Sequence, residues 1–234
     1  MKKQIVSAVA AATLGLSAIA AQAHEQGDII LRAGVVTVVP NDDSDAISLP
    51  TDPATVLPGG VSVDSGTAIS LIGAWMINDK WGLELLAATP FEHDIDVQDL
   101  GIAAGSVKHL PPTLSLQWYP RGGMQGWQPY LGLGFNYTTF FDEDVDPALG
   151  AVLGDVLGAS RAELSLDDSL GWAAQAGVDI PINEDWAFNL GVWYIDIGTT
   201  ASVKAGFDDG SSATVRFDVD IDPLVWNIGV SYKF

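Results

Sequence analysis

From Trp226 to its last residue, the chain alternates between large apolar side chains and small or polar ones, in the stretch WNIGVSYKF. The even-numbered residues are aromatic or branched aliphatic, and the odd-numbered ones are Asn227, Gly229, Ser231 and Lys233. A period of two is that of a β-strand, whose successive side chains point to opposite faces. Large apolar groups on only one face are typical of a strand that separates lipid from the interior of a barrel.

Seven further segments carry this alternation, at about residues 28–39, 66–77, 81–89, 113–119, 128–140, 170–180 and 184–196. Three connections are short turns (NDK, PRGGMQG and INE), and the other four, at about 40–63, 92–105, 142–168 and 200–222, are long. Eight strands joined alternately by short and long connections predict an all-β fold. We expect an eight-stranded antiparallel transmembrane β-barrel with both termini and the short turns in the periplasm.

The N-terminal segment has the three parts of a secretory signal peptide. Basic residues 2 and 3 precede an apolar run over residues 5–20, which leads to the cleavage motif Ala21-Gln22-Ala23. We therefore expect residues 1–23 to be removed and residues 24–234 to form one domain in the outer membrane of a Gram-negative bacterium. The C-terminal Phe234 resembles the signal by which the barrel-assembly machinery recognises outer-membrane barrels. The chain has no cysteine, which excludes disulfides and thiolate metal sites.

Acidic residues are concentrated in the long connections, which hold 21 of the 30 in the chain. Two interpretations stay open: a vestibule that attracts cations or bridges divalent ions to lipopolysaccharide phosphates, and simple solvation of outer loops. Solvation is favoured because no connection has the regular acidic spacing of a calcium site. A net charge of −20 argues against a nucleic-acid partner.

Strand parity also predicts which side chains point into the barrel. Near the periplasmic end these are Arg32, Glu84, Gln117, Asp179, Asn189 and Lys233. Because charges of both signs lie at one level, and unpaired charges there would be costly, we expect an ion-paired polar plug. An eight-stranded barrel is only wide enough for its own side chains, so a water-filled pore is not expected.

Apolar side chains are predicted to point inward above this plug. They are Leu86, Trp193, Ile72, Met76 and Ile195. Inward apolar groups would suit a conduit for apolar ligands, in which they form a constriction. They would equally serve to fill a small barrel, and the sequence leaves both interpretations open.

Three prolines are expected at one height between the third and fourth barrel strands. If the hairpin ends near Lys80 and Pro120, Pro90 lies opposite residue 110, beside Pro111 and Pro112. Proline has no N–H to give to a ladder, so three donors are missing at this level. The prolines predict either a lateral opening in the wall or a point at which both strands leave the sheet.

The same hairpin carries residues of the types that bind metals or take part in catalysis. His93 and His109 are expected to approach each other, but loop histidines are commoner than metal ligands, so neither a metal site nor a cofactor is predicted. Ser106, His109 and Glu92 would be the candidates for a lipid-processing enzyme, yet no motif assembles them. The sequence therefore predicts no enzymatic activity.

One helix is predicted in the third long connection, within DPALGAVLGDVLG. Asp146 is suited to the N-cap and Pro147 to the first helical position. The apolar residues at helical spacing are Leu149, Val152, Leu153, Val156 and Leu157. We expect this helix to pack on the barrel rim, with a lid over its mouth as the alternative.

Several stretches resemble the OmpW family of outer-membrane proteins: GLELLAATPFEHDI, VKHLPPTLSLQWYP, QPYLGLGFNYTTFFD, DDSLGWAAQAGVDIPINEDWAFNLGVWYIDIGTTA and DPLVWNIGVSYKF. The resemblance implies a narrow, hydrophobic barrel that passes small apolar molecules, and no enzymatic activity. It matches Leu86 and Trp193 to the residues that constrict the family's interior. We therefore predict a conduit for small hydrophobic solutes, released laterally into the outer membrane, with lipid and lipopolysaccharide as partners. The alternative is a non-transporting structural, adhesion or receptor barrel, whose interior would be a continuous polar network.

Overall fold

The computed structural model describes residues 23–51 and 54–234, so the predicted signal peptide lies outside it except for Ala23. In chain order the elements are β1 (Ile29–Val39), β2 (Asp43–Ser44), β3 (Ile47–Leu49), β4 (Thr55–Leu57), β5 (Val61–Val63), β6 (Gly66–Asn78), β7 (Trp81–Ala88), β8 (Phe91–Val97), β9 (Ile102–Leu110), β10 (Thr113–Trp118), β11 (Gln128–Val145), α1 (Pro147–Leu157), β12 (Arg161–Leu166), β13 (Ser169–Pro181), β14 (Trp186–Ile195), β15 (Gly198–Gly206), β16 (Ser212–Asp220) and β17 (Leu224–Lys233).

Eight strands close into an antiparallel barrel in the order β10-β7-β6-β1-β17-β14-β13-β11, with β11 pairing back onto β10. These are the eight strands predicted from the alternation, and the predicted fold class is confirmed. Their outward side chains are large and apolar: Ile228 is 69% exposed and Phe135 73%. Burial alternates along each strand because alternate residues face the interior. The outward residues form an apolar band around the barrel.

The two ends of the barrel differ. Ile30 pairs with Lys233, so both chain ends lie at one end, which we call the terminal end. The short turns from β6 to β7, from β10 to β11 and from β13 to β14 lie there as well. The four long connections leave from the opposite end, which we call the loop end.

The long connections contain strands that sequence reasoning did not predict. β8 pairs with β9, which continues along the upper part of β11 from the pair Leu110 and Thr139. β12, β15, β16 and β2 form a four-stranded sheet, and β5 pairs with β8. These strands extend the barrel wall beyond its apolar band.

The predicted helix is present as α1. The Asp146 carboxylate accepts a hydrogen bond from the Ala148 N–H at 2.7 Å, and Gly158 ends the helix with a φ of 75°. Leu149 and Leu153 are buried in the main apolar core, so the helix packs on the wall. Over residues 23–51 and 54–234, the structure contains no helix long and apolar enough to span a membrane.

Candidate functional site

The extended wall at the loop end encloses an apolar cavity, which we call the chamber. It holds about 1090 Å³ of empty space, part of it open to solvent. Of the 25 described residues that line it, 23 are apolar, among them Ile95 on β8, Leu153 on α1 and Phe217 on β16. Such a surface favours apolar ligands, because it removes apolar area from water without offering polar partners.

The inward residues of β14 show how the interior changes along the barrel axis. Asn189 joins a polar network, Trp193 is fully buried among apolar groups, and Ile195 lines a small cavity. Ile197, two residues further, lines the chamber. Leu86 is buried in the same continuous apolar cluster as Trp193 and the chamber wall. The apolar path therefore runs from the chamber down to the level of Trp193.

A buried ion-pair network closes the barrel below this level. The Arg32 guanidinium donates from Nη1 to Glu84 Oε2 at 2.9 Å, and from Nη2 and Nε to the two oxygens of Asp179 at 2.7 and 3.2 Å. Arg32 and Glu84 are 0% exposed and Asp179 is 1% exposed. The two-pronged contact with Asp179 has the geometry that guanidinium and carboxylate groups prefer.

Neutral side chains complete this network, which we call the plug. Gln117 donates to Glu84 at 2.6 Å and accepts a hydrogen bond from the Tyr119 hydroxyl at 2.6 Å. Asn189 donates to Asp179 at 2.9 Å. Each partner fixes a group that would be costly to bury alone, so the plug is a cross-linked layer that leaves little room for water.

The wall between the third and fourth barrel strands contains an interrupted ladder. Pairing runs along β7 and β10 to Leu86 opposite Thr113, and resumes in β8 and β9 with Phe91 opposite His109. Residues 87–90 and 110–112 lie between these two pairs, and they include all three predicted prolines. We call this stretch the seam.

The seam lies directly outside a second apolar cavity. This cavity holds about 240 Å³ of empty space, and its lining includes Leu86, Phe91, Pro111 and Ile195. Pro111 is buried, whereas Pro90 and Pro112 are exposed on the outer surface. The carbonyl of Pro112 is paired, since it accepts a hydrogen bond from the Tyr137 N–H at 3.1 Å.

The two histidines of the β8–β9 hairpin meet inside the chamber wall. Their Nε2 atoms are 2.9 Å apart, and His109 packs between Phe91 and Phe140. On β11 the exposed apolar side chains run from Leu131 to Tyr137, and Phe140 lies beyond them, outside the membrane-spanning part. Burial lowers the pKa of His93 below its ordinary value and that of His109 to about 3, with His93 adding to the second shift. Both rings are therefore neutral at pH 7.

A family model, the OmpW family, matches residues 25–234. The chain belongs to the OmpW family. Outer membrane protein W of Escherichia coli K12 is 43% identical over the full length of both chains, and that of Vibrio cholerae O1 is 42% identical over 91% of each. The crystal structure of OprG from Pseudomonas aeruginosa shares 44% identity with a TM-score of 0.79, covering 92% of this chain and 99% of that one. The chain is thus an OmpW-family barrel of the Gram-negative outer membrane.

In this OmpW-family barrel, five of the six residues predicted for the plug lie together: Arg32, Glu84, Gln117, Asp179 and Asn189. Lys233 does not join them. It lies closer to the terminal end, where its ammonium group donates to the Ala23 carbonyl at 3.1 Å and lies 3.6 Å from Asp28. Its predicted inward direction was right, but its height was wrong, because Arg32 pairs with Ser231, two residues earlier on β17.

Met76 is a second correction. Leu86, Trp193, Ile72 and Ile195 share one apolar cluster, as the predicted constriction requires. Met76 instead packs in a separate cluster with Tyr119 and Tyr130 at the terminal end. β6 descends from Ile72 opposite Leu86 to Met76 opposite Gly82, which places Met76 below Glu84 on β7.

Several residues near the plug were not predicted to belong to it, among them two tyrosines and one histidine. Tyr119 and Tyr130 are buried and bonded to plug residues, and His24 lies 3.5 Å from Asp179. The alternation along β10 and β11 predicts that both tyrosines point inward, since Tyr119 lies two residues after Gln117 and Tyr130 lies two residues before Gly132. His24 precedes the first strand, where no alternation gives a signal.

The residues weighed for an enzyme do not form a catalytic group. His109 is buried on the inner face of β9, whereas Ser106 lies on the opposite face. Glu92 is exposed on the outer face of β8. Ser106 and His109 therefore point to opposite sides of β9, so this histidine is not presented as a base to this serine.

Proposed function

We propose that this OmpW-family protein conducts small hydrophobic molecules across the outer leaflet, taking them up at the loop end. The observation that carries the proposal is the chamber, whose lining is apolar at 23 of 25 described positions. A porin interior is polar and water-filled, whereas this one would desolvate an apolar solute. No enzymatic role is proposed.

The exit we propose is lateral. The plug blocks the axis with buried, ion-paired side chains, so a solute reaching Trp193 has no apolar route to the terminal end. The cavity behind the seam joins residues of the constriction, Leu86 and Ile195, to Pro111 in the wall. Since proline supplies no donor, the strands part there without leaving an unpaired N–H at the prolines themselves. The solute would pass from this cavity into lipid.

The orientation and partners follow from this proposal. The loop end faces the outside and the terminal end the periplasm, with residues 1–23 removed as a signal peptide. The apolar band contacts outer-membrane lipid and the acidic outer wall lies among lipopolysaccharide headgroups. Phe234, 67% exposed, serves the barrel-assembly machinery. The acidic residues act mainly by solvating the outer wall.

Uptake of a small apolar solute by cells tests the proposal. Wild type is compared with a variant carrying Pro111→Thr and Pro112→Val, and with Pro129→Val, which removes a proline from β11 away from the seam. All three must show equal heat-modifiable migration of a folded barrel. We expect wild type and Pro129→Val to accelerate uptake, and the seam variant to lose this effect.

A thiol block avoids any change in folding. The chain has no cysteine, so Ala88→Cys can be modified by a bulky thiol reagent after the barrel has assembled. Ala88 lines the cavity behind the seam, and Ala151→Cys on the exposed face of α1 is the matched control. We expect modification to stop uptake only at position 88. Equal uptake before and after modification would remove the lateral exit, and absence of uptake by wild type would favour a structural or adhesive barrel.

A further inference from the structure

The apolar chamber contains one polar feature, the His93–His109 pair. Among the described lining residues these two are the polar ones, and they are 4% and 5% exposed. His109 is fixed between two aromatic rings, with centroid distances of 5.2 Å to Phe91 and 5.9 Å to Phe140. Phe91 also lines the cavity behind the seam. The pair therefore lies where the chamber meets the proposed exit.

The contacts of the pair determine which ring nitrogens carry hydrogen. Nδ1 of His93 lies against the backbone carbonyl of Asp64, and a carbonyl oxygen only accepts hydrogen bonds. Nδ1 of His93 must therefore be the donor, which leaves its Nε2 as an acceptor in the neutral ring. Nε2 of His109, 2.9 Å away, must then donate to it. Nδ1 of His109 consequently has no hydrogen and carries an unused lone pair.

This lone pair has no partner in the part of the chain that the structure describes. Nδ1 of His109 is a buried atom without a hydrogen bond among the described residues. A buried acceptor that is left unpaired is unfavourable, and native proteins usually satisfy such groups. Within an otherwise apolar chamber, a solute that donates one hydrogen bond would satisfy it.

We propose that Nδ1 of His109 is a hydrogen-bond acceptor for solutes in the chamber, which selects small apolar molecules bearing one neutral hydroxyl group. An alkane or an ether has no hydrogen to donate. A carboxylate has only acceptor oxygens, so it could not donate a hydrogen bond to Nδ1 of His109. Any ion would also lose its hydration in the apolar chamber. This inference rests on the proposed function of the chamber as the solute path.

The first test observes the nitrogen directly. The chain has three histidines, so ¹⁵N-histidine labelling of the barrel in lipid nanodiscs gives few signals, and the His109→Phe variant assigns those of His109. We expect a bare Nδ1 resonance that shifts when 1-naphthol is added and stays in place with 1-methoxynaphthalene. An Nδ1 that already accepts a hydrogen bond from water, and does not respond to 1-naphthol, would overturn the inference.

The second test compares affinities. Binding of both probes is measured for wild type, His109→Phe and Phe140→Leu, with barrel-free nanodiscs correcting for partition into lipid. His109→Phe keeps an aromatic ring in the stack but has no acceptor, so we expect it to reduce the naphthol-to-ether preference about tenfold, the scale of one buried hydrogen bond. Phe140→Leu keeps the acceptor and should weaken both probes alike.

The outcomes separate the two proposals. An unchanged preference in His109→Phe, with both probes still bound, overturns the role of His109 and leaves the conduit intact. Absence of specific binding of either probe to the wild-type chamber overturns both. The response to 1-naphthol is read in the labelled wild-type protein, and His24→Phe and His93→Phe would assign the signals of His109 by elimination if His109→Phe failed to assemble.

Discussion

The guanidinium of Arg32 lies between the carboxylates of Glu84 and Asp179, and all three groups are withdrawn from water. Buried ion pairs gain little over apolar packing, but the loss of one partner leaves the others uncompensated. Arg32 therefore balances two negative charges in the centre of the barrel. Its removal should affect stability much more than the removal of an exposed arginine.

We expect Arg32→Met, which keeps much of the side-chain volume, to lower the free energy of unfolding by about 3–5 kcal/mol. Unfolding is followed by tryptophan fluorescence in denaturant, with the barrel in lipid vesicles. Arg216→Met on the exposed face of β16 is the matched control, expected to change the same quantity by less than about 1 kcal/mol. Equal effects of the two substitutions would show that the plug is not a stabilising network.

The histidine pair predicts a pH dependence. Burial holds the pKa of His109 at about 3 and lowers that of His93, so in the unfolded hairpin both rings would bind protons at higher pH than in the folded one. The unfolded form therefore gains protons first as the pH falls below about 6.5 towards 3, and hairpin stability falls with it. The charges of Asp64 and Asp94 oppose the shift of His93 without reversing it.

Hydrogen exchange measures this effect. After correction for intrinsic exchange rates, amides of β8 and β9 should lose protection between pH 7 and pH 5, while those of β17 keep it. Replacing both histidines by phenylalanine should remove the difference between the strands. Uniform loss of protection in β17 as well would assign the effect to the whole barrel and not to the pair.

At the scale of elements, the side-chain pattern reverses at Pro90. In β7 the outward residues are apolar, such as Leu85, and Glu84 points inward. In β8 the outward residues are acidic, such as Asp94, and Ile95 points inward. Beyond Pro90 the wall therefore extends past the membrane, with apolar side chains facing the interior and charged side chains facing solvent.

This reversal explains what the sequence did and did not predict. Lipid-facing strands were found because large apolar residues alternate with small or polar ones, and the plug followed from their parity. The predicted register between the third and fourth barrel strands, with Pro90 opposite residue 110, was also close to the observed one, in which Phe91 pairs with His109 and Leu86 with Thr113. β8 and β16 alternate as regularly, but their exposed residues are acidic or polar, and such a face predicts a solvated loop and not a lipid-facing strand. The chamber was missed for the same reason.

Helix α1 gives a prediction at this scale. Its cap, Asp146, satisfies an N–H that no turn of the helix can reach, and replacing such a cap by alanine costs about 1 kcal/mol. We expect Asp146→Ala to increase hydrogen exchange in the first turn of α1 without changing the barrel strands. Asp155→Ala, an exposed position in the same helix, is the control and should leave the first turn unchanged. Loss of protection throughout the barrel would show that α1 supports more than the chamber wall.

At the scale of the whole molecule, two closures act on different solutes. In the proposed conduit, the plug excludes water and ions from the axis through paired charges, while Leu86 and Trp193, at the bottom of the apolar path beside the cavity behind the seam, limit the size of the solute that this cavity accepts. If the exit is lateral, widening the constriction should affect apolar solutes alone. The plug would still block polar ones.

We expect Trp193→Ala to speed uptake of a bulkier apolar solute severalfold, because it removes the largest fully buried side chain above the plug. Uptake of a small sugar, measured in the same cells, should stay at the level of cells without the barrel. Trp226→Ala is the matched control, since it removes a lipid-facing tryptophan that is 52% exposed. Sugar entry through Trp193→Ala would mean that the axis opens to the periplasm. The plug would then be a gate on the solute path, and the seam would not be needed as an exit.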